Sequence, residues 1–144
     1  VNGVDVAPNQ RGYNLAAFTA DGDVLDAQAF DTHASKEASD ELVSWLAGWP
    51  EGTLIAGAVA DDASYNLQQP AVSALANLGV DEDMRGRFRW GHAFVGAVGA
   101  QPGTALEDTN LLRPADVSIG PPLDAPEATG AIRTVKFTSG NTDQ

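Results

Sequence analysis

The run Asp61-Asp62-Ala63-Ser64-Tyr65-Asn66-Leu67 gathers two carboxylates, a hydroxyl, a phenol and a carboxamide directly after the apolar stretch 54–59. Polar side chains at the end of a buried strand are held by a rigid scaffold yet reached by water, which is where binding and catalytic groups collect. Three chemistries fit. Asp61 and Asp62 could serve as acid and base, and Asp61, Ser64 and His92 are the residue types of a hydrolase triad. No Gly-x-Ser-x-Gly elbow or His-Glu-x-x-His motif accompanies them. Adjacent carboxylates also point apart on any regular element, whereas glycosidase pairs face each other across about 5 to 10 Å. The metal-like Asp21-Gly22-Asp23 reads as a hairpin tip, and Asp81-Glu82-Asp83 lacks the spacing of a calcium loop, so neither metal nor cofactor is expected. The third chemistry is recognition of a polar ligand, since carboxylates and guanidinium forks together satisfy the acceptor and donor faces of neighbouring hydroxyls.

The guanidiniums come from Gln10-Arg11-Gly12-Tyr13-Asn14 and Arg85-Gly86-Arg87-Phe88-Arg89-Trp90. On an extended strand Arg85, Arg87 and Arg89 share one face, an arrangement suited to an acidic sugar. The plainer role for Arg85 and Arg87 is to neutralise Asp81, Glu82 and Asp83. For Arg11 the plainer role is an ion pair with Asp61 that closes the strand ends. Trp90 or Tyr13 could stack on the apolar face of a sugar. His33 is expected to cap or pack at a helix entrance, and Trp45 and Trp49, four apart, are expected in the core.

The elements that must position these residues follow from their periods. Residues 13–19 and 24–30 read as two antiparallel strands joined at Asp21-Gly22. From Ser35, a good N-cap, Ala38, Leu42, Val43, Trp45, Leu46 and Trp49 fall on one helical face, which Gly48 and Pro50 terminate. Residues 54–59 are apolar without alternation, as in a strand covered on both faces. Pro70 at a first helical position, the stripe Val72, Leu75 and Leu78, and Gly79 as left-handed cap predict a second helix of about three turns. Residues 88–98 read as a strand whose glycines mark bulges or close approaches. Beyond Pro102 the composition shifts, and residues 132–137 alternate as a strand would. The expectation is a mixed α/β (α+β) fold, with a central sheet packed with two helices in a domain over residues 1–105. A Pro/Gly-rich extension over 106–144 may add a strand.

Composition narrows the partners. A chain of 144 residues supports one core, and no apolar run approaches the roughly 20 residues that span a bilayer. The first residues hold neither a basic segment nor an apolar one of the kind targeting peptides carry. Twenty acidic against eight basic residues give a net charge of −12, which repels phosphate backbones and anionic membranes, so no nucleic acid partner is expected. Asp outnumbers Glu 14 to 6, a balance compatible with a saline setting or with coding bias. The absence of cysteine removes disulfides and thiolate chemistry.

The blocks Gln10-Arg11-Gly12-Tyr13-Asn14, Ala29-Phe30-Asp31-Thr32-His33, Pro50-Glu51-Gly52-Thr53, Ala60-Asp61-Asp62-Ala63-Ser64, Ala76-Asn77-Leu78-Gly79 and Ala93-Phe94-Val95-Gly96 stand in the order seen in the interleukin-like EMT inducer family. The chain resembles that family, also called the GG domain, over residues 10 to 105. The family's other settings include hyaluronan-processing cell-surface proteins, the lectin-like stem of the transferase that adds N-acetylglucosamine to O-mannose, and bacterial and phage tail or surface proteins. The resemblance implies a compact fold with strands packed between helices. It also implies a non-catalytic carbohydrate-binding module of an extracellular, surface or virion protein, or alternatively an interaction or structural module of such an assembly, with possible homo-oligomers. Carried over by position, the stem's sugar contacts fall on Arg11, Asp61 and Arg89, with Ser64 and Trp90 beside them. Where the family commonly has a tryptophan before Ala-Phe-Val-Gly, this chain has His92.

Overall fold

The computed structural model describes residues 1, 4–119 and 135–138. Strands β1 (Gly12–Phe18) and β2 (Val24–Phe30) form the expected hairpin, with Gly22 at φ 85° in its tip. The Asp21-Gly22-Asp23 segment is therefore turn chemistry. Helix α1 spans Lys36–Ala47, with Ser35 Oγ accepting the Ala38 amide at 3.2 Å, and it ends at Gly48. Strand β3 (Leu54–Ala60) follows, then helix α2 (Gln69–Ala76), β4 (Gly91–Ala97), β5 (Leu106–Asn110), β6 (Asp116–Ile119) and β7 (Val135–Thr138).

The five strands β2-β1-β3-β4-β5 make one antiparallel sheet with β3 at its centre, as the unbroken apolar character of that strand requires. On one face Tyr13, Leu15, Ile55, Val59 and Phe94 join Leu42 and Leu46 of α1 and Ala71 and Leu75 of α2 in the larger cluster of buried side chains. The opposite face, Phe18, Ala56, Ala58, Ala93 and Val95, is buried with Ala115 and with Val117 of β6. A hairpin-paired β6 and β7 thus accompanies the second face, and the two helices contribute to the first only. Among the described residues both helices thus lie on one face, where the resemblance implied strands packed between helices. Of the strand expected over 132–137, residues 132–134 lie outside the described residues, and β7 pairs with β6. The fifth strand of the main sheet begins at Leu106, within the stretch read as an extension.

Two expectations need correction. Helix α2 has two turns, not three: Leu78 leaves the helix to bridge Ala100, and its carbonyl accepts the Ala97 amide at 3.1 Å. Gly79 (φ 95°) is the left-handed cap expected: its amide donates to the Ala76 carbonyl at 3.0 Å and the Val80 amide to the Leu75 carbonyl at 3.3 Å, while a Cβ on Gly79 would come within 2.8 Å of the Ala105 amide. Residues 85–90 are turns rather than strand, so Arg85, Arg87 and Arg89 share no strand face. Arg85 pairs with Asp83 and Arg87 with Glu82, as their plainer reading required.

The central strand has one position with no room for a side chain. Gly57 lies between Leu15 and Phe94, and a Cβ there would sit 2.6 Å from both side chains. Gly57→Ala is expected to cost about 1 to 3 kcal/mol by overpacking, measured as a shift in urea midpoint with an unchanged slope.

Candidate functional site

At one end of the sheet the antiparallel order sets side by side the exit of β2, the entry of β1, the exit of β3 and the entry of β4, with the exit of β5 beyond them. The residues just outside the first four strand ends are, in the same order, Asp31, Arg11, Asp61 and Arg89. Charges therefore alternate across the sheet end. Arg11 pairs with Asp31 through its Nη2 at 3.0 Å and Nε at 3.1 Å, and Arg89 pairs with Asp61 at 3.4 Å. All four side chains are about two-fifths exposed. The pair expected between Arg11 and Asp61 is replaced by these two, although Arg11 still feels the charges of Asp61 and Asp62. Gly12 allows the arrangement: at φ 97° it lets the end of β2 pass so close that a Cβ would lie 2.1 Å from the Phe30 carbonyl oxygen.

Beneath the exposed row lies Asp62, which is 1% exposed. Its Oδ1 accepts the Ser64 hydroxyl at 2.8 Å and the Arg89 amide at 2.9 Å; its Oδ2 accepts His33 Nδ1 at 2.7 Å and the Tyr65 amide at 3.3 Å. Burial pushes this carboxyl up, but the donors, led by the Arg89 amide and His33, outweigh burial and hold it below the usual carboxylate range. Two flanking residues occupy the left-handed region, Asp61 at φ 59° and Arg89 at φ 62°. Aspartate tolerates that region; an arginine there is strained, and such conformations persist only where the surroundings over-determine them. The Asp62 carboxylate supplies that constraint for Arg89 by fixing its amide. The loop itself is stapled to the 31–33 segment, with Thr32 Oγ1 donating to the Ala63 carbonyl at 2.7 Å and Asn66 Nδ2 to the His33 carbonyl at 2.6 Å.

Of the residues expected at the site, Arg11, Asp61 and Arg89 stand together at this sheet end. Ser64 is buried and turned inward onto Asp62. Trp90 packs against the larger core cluster, with the Arg87 guanidinium over its ring at 5.3 Å. Tyr13 is fully buried, so its expected stacking on a ligand does not hold. Trp45 and Trp49 pack edge-on against each other beside the core, and His33 is held by Asp62 near the entrance to α1. Among the described residues no cluster of three or more His, Asp or Glu side chains could hold a metal ion.

The hydrolase triad is not assembled. His92 is fully buried and bonds elsewhere: its Nδ1 lies 2.8 Å from the Tyr13 hydroxyl and its Nε2 2.6 Å from Glu107 Oε2. Glu107 in turn accepts the amides of Asp81 at 2.9 Å and Glu82 at 3.3 Å. This chain across β1, β4 and β5 was not foreseen from sequence, although His92 and Phe94 alternate onto the helix-facing side and so announced a polar group in the core. Burial pushes the Tyr13 phenol well up, helped by the Glu107 charge. Burial also raises Glu107, but the His92 and Asp81 hydrogen bonds override it and leave the carboxyl lowered.

The sheet thus carries opposed guanidinium and carboxylate groups at one rim, while His92 is bonded to Tyr13 and Glu107 rather than to Ser64. The interleukin-like EMT inducer family model matches residues 11–100, and the chain belongs to that family. Its curated relatives include the cell migration-inducing and hyaluronan-binding proteins of Mus musculus and Homo sapiens, each 34% identical over 87 residues, or 60% of this chain. The cell surface hyaluronidase of Danio rerio is 32% identical over 102 residues, 68% of this chain. The matches span only 6 to 7% of these relatives' length. Among the described residues no helix is long and apolar enough to cross a membrane.

Proposed function

We propose that this chain is a non-catalytic carbohydrate-recognition module of a larger extracellular or surface protein, in which Arg11, Asp61 and Arg89 hydrogen-bond a sugar. The observation that carries this reading is the exposed Asp31-Arg11-Asp61-Arg89 row, two of whose members stand in left-handed backbone, Arg89 with its amide fixed by a buried carboxylate. Strain maintained at a solvent-open polar site is a mark of function rather than of packing. Surface ion pairs of this exposure contribute only about 0 to 1 kcal/mol each, so stability gives little reason to build them. Guanidinium forks offer donors and the carboxylates offer acceptors, the complement of adjacent sugar hydroxyls. Ser64 contributes by orienting Asp62, and Trp90 backs the turn that presents Arg89. The hyaluronan-related names of the relatives support a glycan ligand and an extracellular setting.

A glycan array probed with the wild type and with Asp61→Ala tests this. The wild type is expected to give a specific signal that the variant lowers at least about tenfold, the loss of one charge-assisted contact. The melting temperature should fall only by the small backbone cost of alanine at φ 59°, because the Asp61 side chain is exposed. Absence of signal from both proteins would instead favour an interaction or structural module without a sugar ligand.

A further inference from the structure

Tyr65 and Phe88 are the most conspicuous exposed aromatics near the site, 73% and 55% accessible. They flank the imidazole of His33, with centroids 5.5 Å and 6.2 Å away and ring planes tilted by 38° and 40°. The three rings form a shallow curved strip. We infer that this Tyr65-His33-Phe88 strip is a second subsite, which stacks on the apolar face of the next sugar in a neutral oligosaccharide of two or more units. The inference rests on the sugar reading of Arg11, Asp61 and Arg89 and extends it to ligand length and charge.

The strip and the polar row share one support. Asp62 Oδ1 fixes the Arg89 amide of the row, while Oδ2 of the same carboxylate fixes the His33 ring and the Tyr65 amide of the strip. Phe88 directly precedes Arg89 in the chain, and His33 stands two residues beyond Asp31. A ligand held by the row therefore has the strip for its neighbour. Aromatic rings present an apolar body suited to the C–H face of a pyranose, and an exposed apolar patch rimmed by polar groups marks an interaction surface. Sugar hydroxyls could then point outward or toward the row.

Charge selects among glycans. Both exposed arginines are already matched by Asp31 and Asp61, Asp62 adds a third carboxylate beneath, and the whole chain carries −12. A polyanion gains no unpaired cation here and meets a repulsive field. Neutral glycans are the class that fits.

Titration calorimetry and array binding with cellobiose, with N-acetylated and galactose-containing neutral disaccharides, with their monosaccharide methyl glycosides, and with hyaluronan tetrasaccharide would test this. The proteins compared are wild type, Tyr65→Ala/Phe88→Ala and Asp61→Ala. For at least one neutral disaccharide, the wild type is expected to bind about tenfold or more tightly than the matching monosaccharide. The double variant should lose that advantage yet keep the monosaccharide affinity, and Asp61→Ala should lose both. An unaltered disaccharide advantage in the double variant, with binding still lost in Asp61→Ala, overturns the strip while leaving the row. Loss of binding in the double variant alone supports the strip and overturns the row. Preference for hyaluronan tetrasaccharide over every neutral probe overturns the charge argument. Absence of any binding, with self-association by sedimentation that the double variant abolishes, overturns the inference in favour of a protein contact.

Discussion

Asp62→Ala is expected to lower stability by about 3 to 5 kcal/mol and to abolish ligand binding while leaving Arg11, Asp61 and Arg89 unaltered in sequence. The side chain is buried, and its removal deprives four donors of their acceptor: the Ser64 hydroxyl, His33 Nδ1, and the amides of Tyr65 and Arg89. Each buried donor left without a partner costs about 1 to 3 kcal/mol, with part of the sum recovered as water enters. The Arg89 amide matters beyond stability. Losing that acceptor removes a constraint on an arginine at φ 62°, and the backbone is expected to relax and carry the guanidinium away from Asp61. Asp62→Asn, which keeps one acceptor oxygen but offers a second donor to a shell made of donors, should fall between. Urea titrations give the stability, and binding at a temperature where the variant is folded gives the function.

The same carboxylate makes a pH prediction whose sign is fixed by the direction of its shift. Its folded value is lowered, so the unfolded chain takes up the proton first on acidification. The stabilisation is complete above the ordinary carboxyl range, about pH 4, and is lost as pH falls through the depressed value. Wild-type stability should therefore decline below about pH 4 with a slope that Asp62→Ala lacks in part. Glu107 is lowered in the same sense, so the variant retains the remainder of the slope.

The elements were legible wherever local physics decides them. The Asp21-Gly22 turn, the Ser35 cap and the apolar stretch ending at Val59 each state their structure in a few residues, and β1, β2, α1 and β3 lie where those signals put them. Helix α2 was overextended because the stripe through Leu78 keeps helical spacing, while the tertiary bridge to Ala100 takes that residue out of the helix. Residues 85–90 were misread because alternating arginines mimic a strand. Nothing local reveals that the chain turns twice there to reach Asp62 from above.

The site was legible in its exposed members and hidden in its support. Arg11, Asp61 and Arg89 were named through the resemblance to the family's sugar contacts, carried over position by position. Asp31, which directly follows β2, stood in one of the matching blocks but was given no role at the site. Asp62 stood out in the sequence only as the carboxylate beside Asp61. It caps the turn through Tyr65, but its other bonds run to residues 33 and 89, and no spacing rule joins positions 27 residues or more apart. Tyr13 and His92 were misassigned for a related reason: a polar aromatic near a strand end looks the same in sequence whether it faces ligand or core, and only its register with Val59 and Phe94 decides.

Glu107→Ala is expected to cost about 2 to 4 kcal/mol, and Glu107→Gln less, with a change in the protonation pattern of His92. With Glu107 ionised, one arrangement satisfies the whole chain: His92 Nε2 donates to Glu107, and Nδ1 accepts the Tyr13 hydroxyl. Alanine leaves the imidazole N–H and the amides of Asp81 and Glu82 without their acceptor, which sets the larger cost. Glutamine can still take the Asp81 amide on its carbonyl, but its NH2 group then faces Nε2, where the wild type has an acceptor. The imidazole is expected to answer by moving its proton to Nδ1, accepting at Nε2 and donating to the Tyr13 oxygen. Two-bond proton–nitrogen correlations of the ring distinguish the tautomers, and the Nε2-protonated pattern should become the Nδ1-protonated one. Persistence of the wild-type pattern would mean that the hydrogen-bond chain does not determine the tautomer. Tyr13→Phe should leave the Nε2 proton in place and cost about 1 to 3 kcal/mol for the unfilled acceptor at Nδ1. Together these variants separate what the chain does for the fold, where it ties β1 to β4, β5 and the loop at Asp81, from binding at the rim, which an Asp61→Ala control should lose and they should keep.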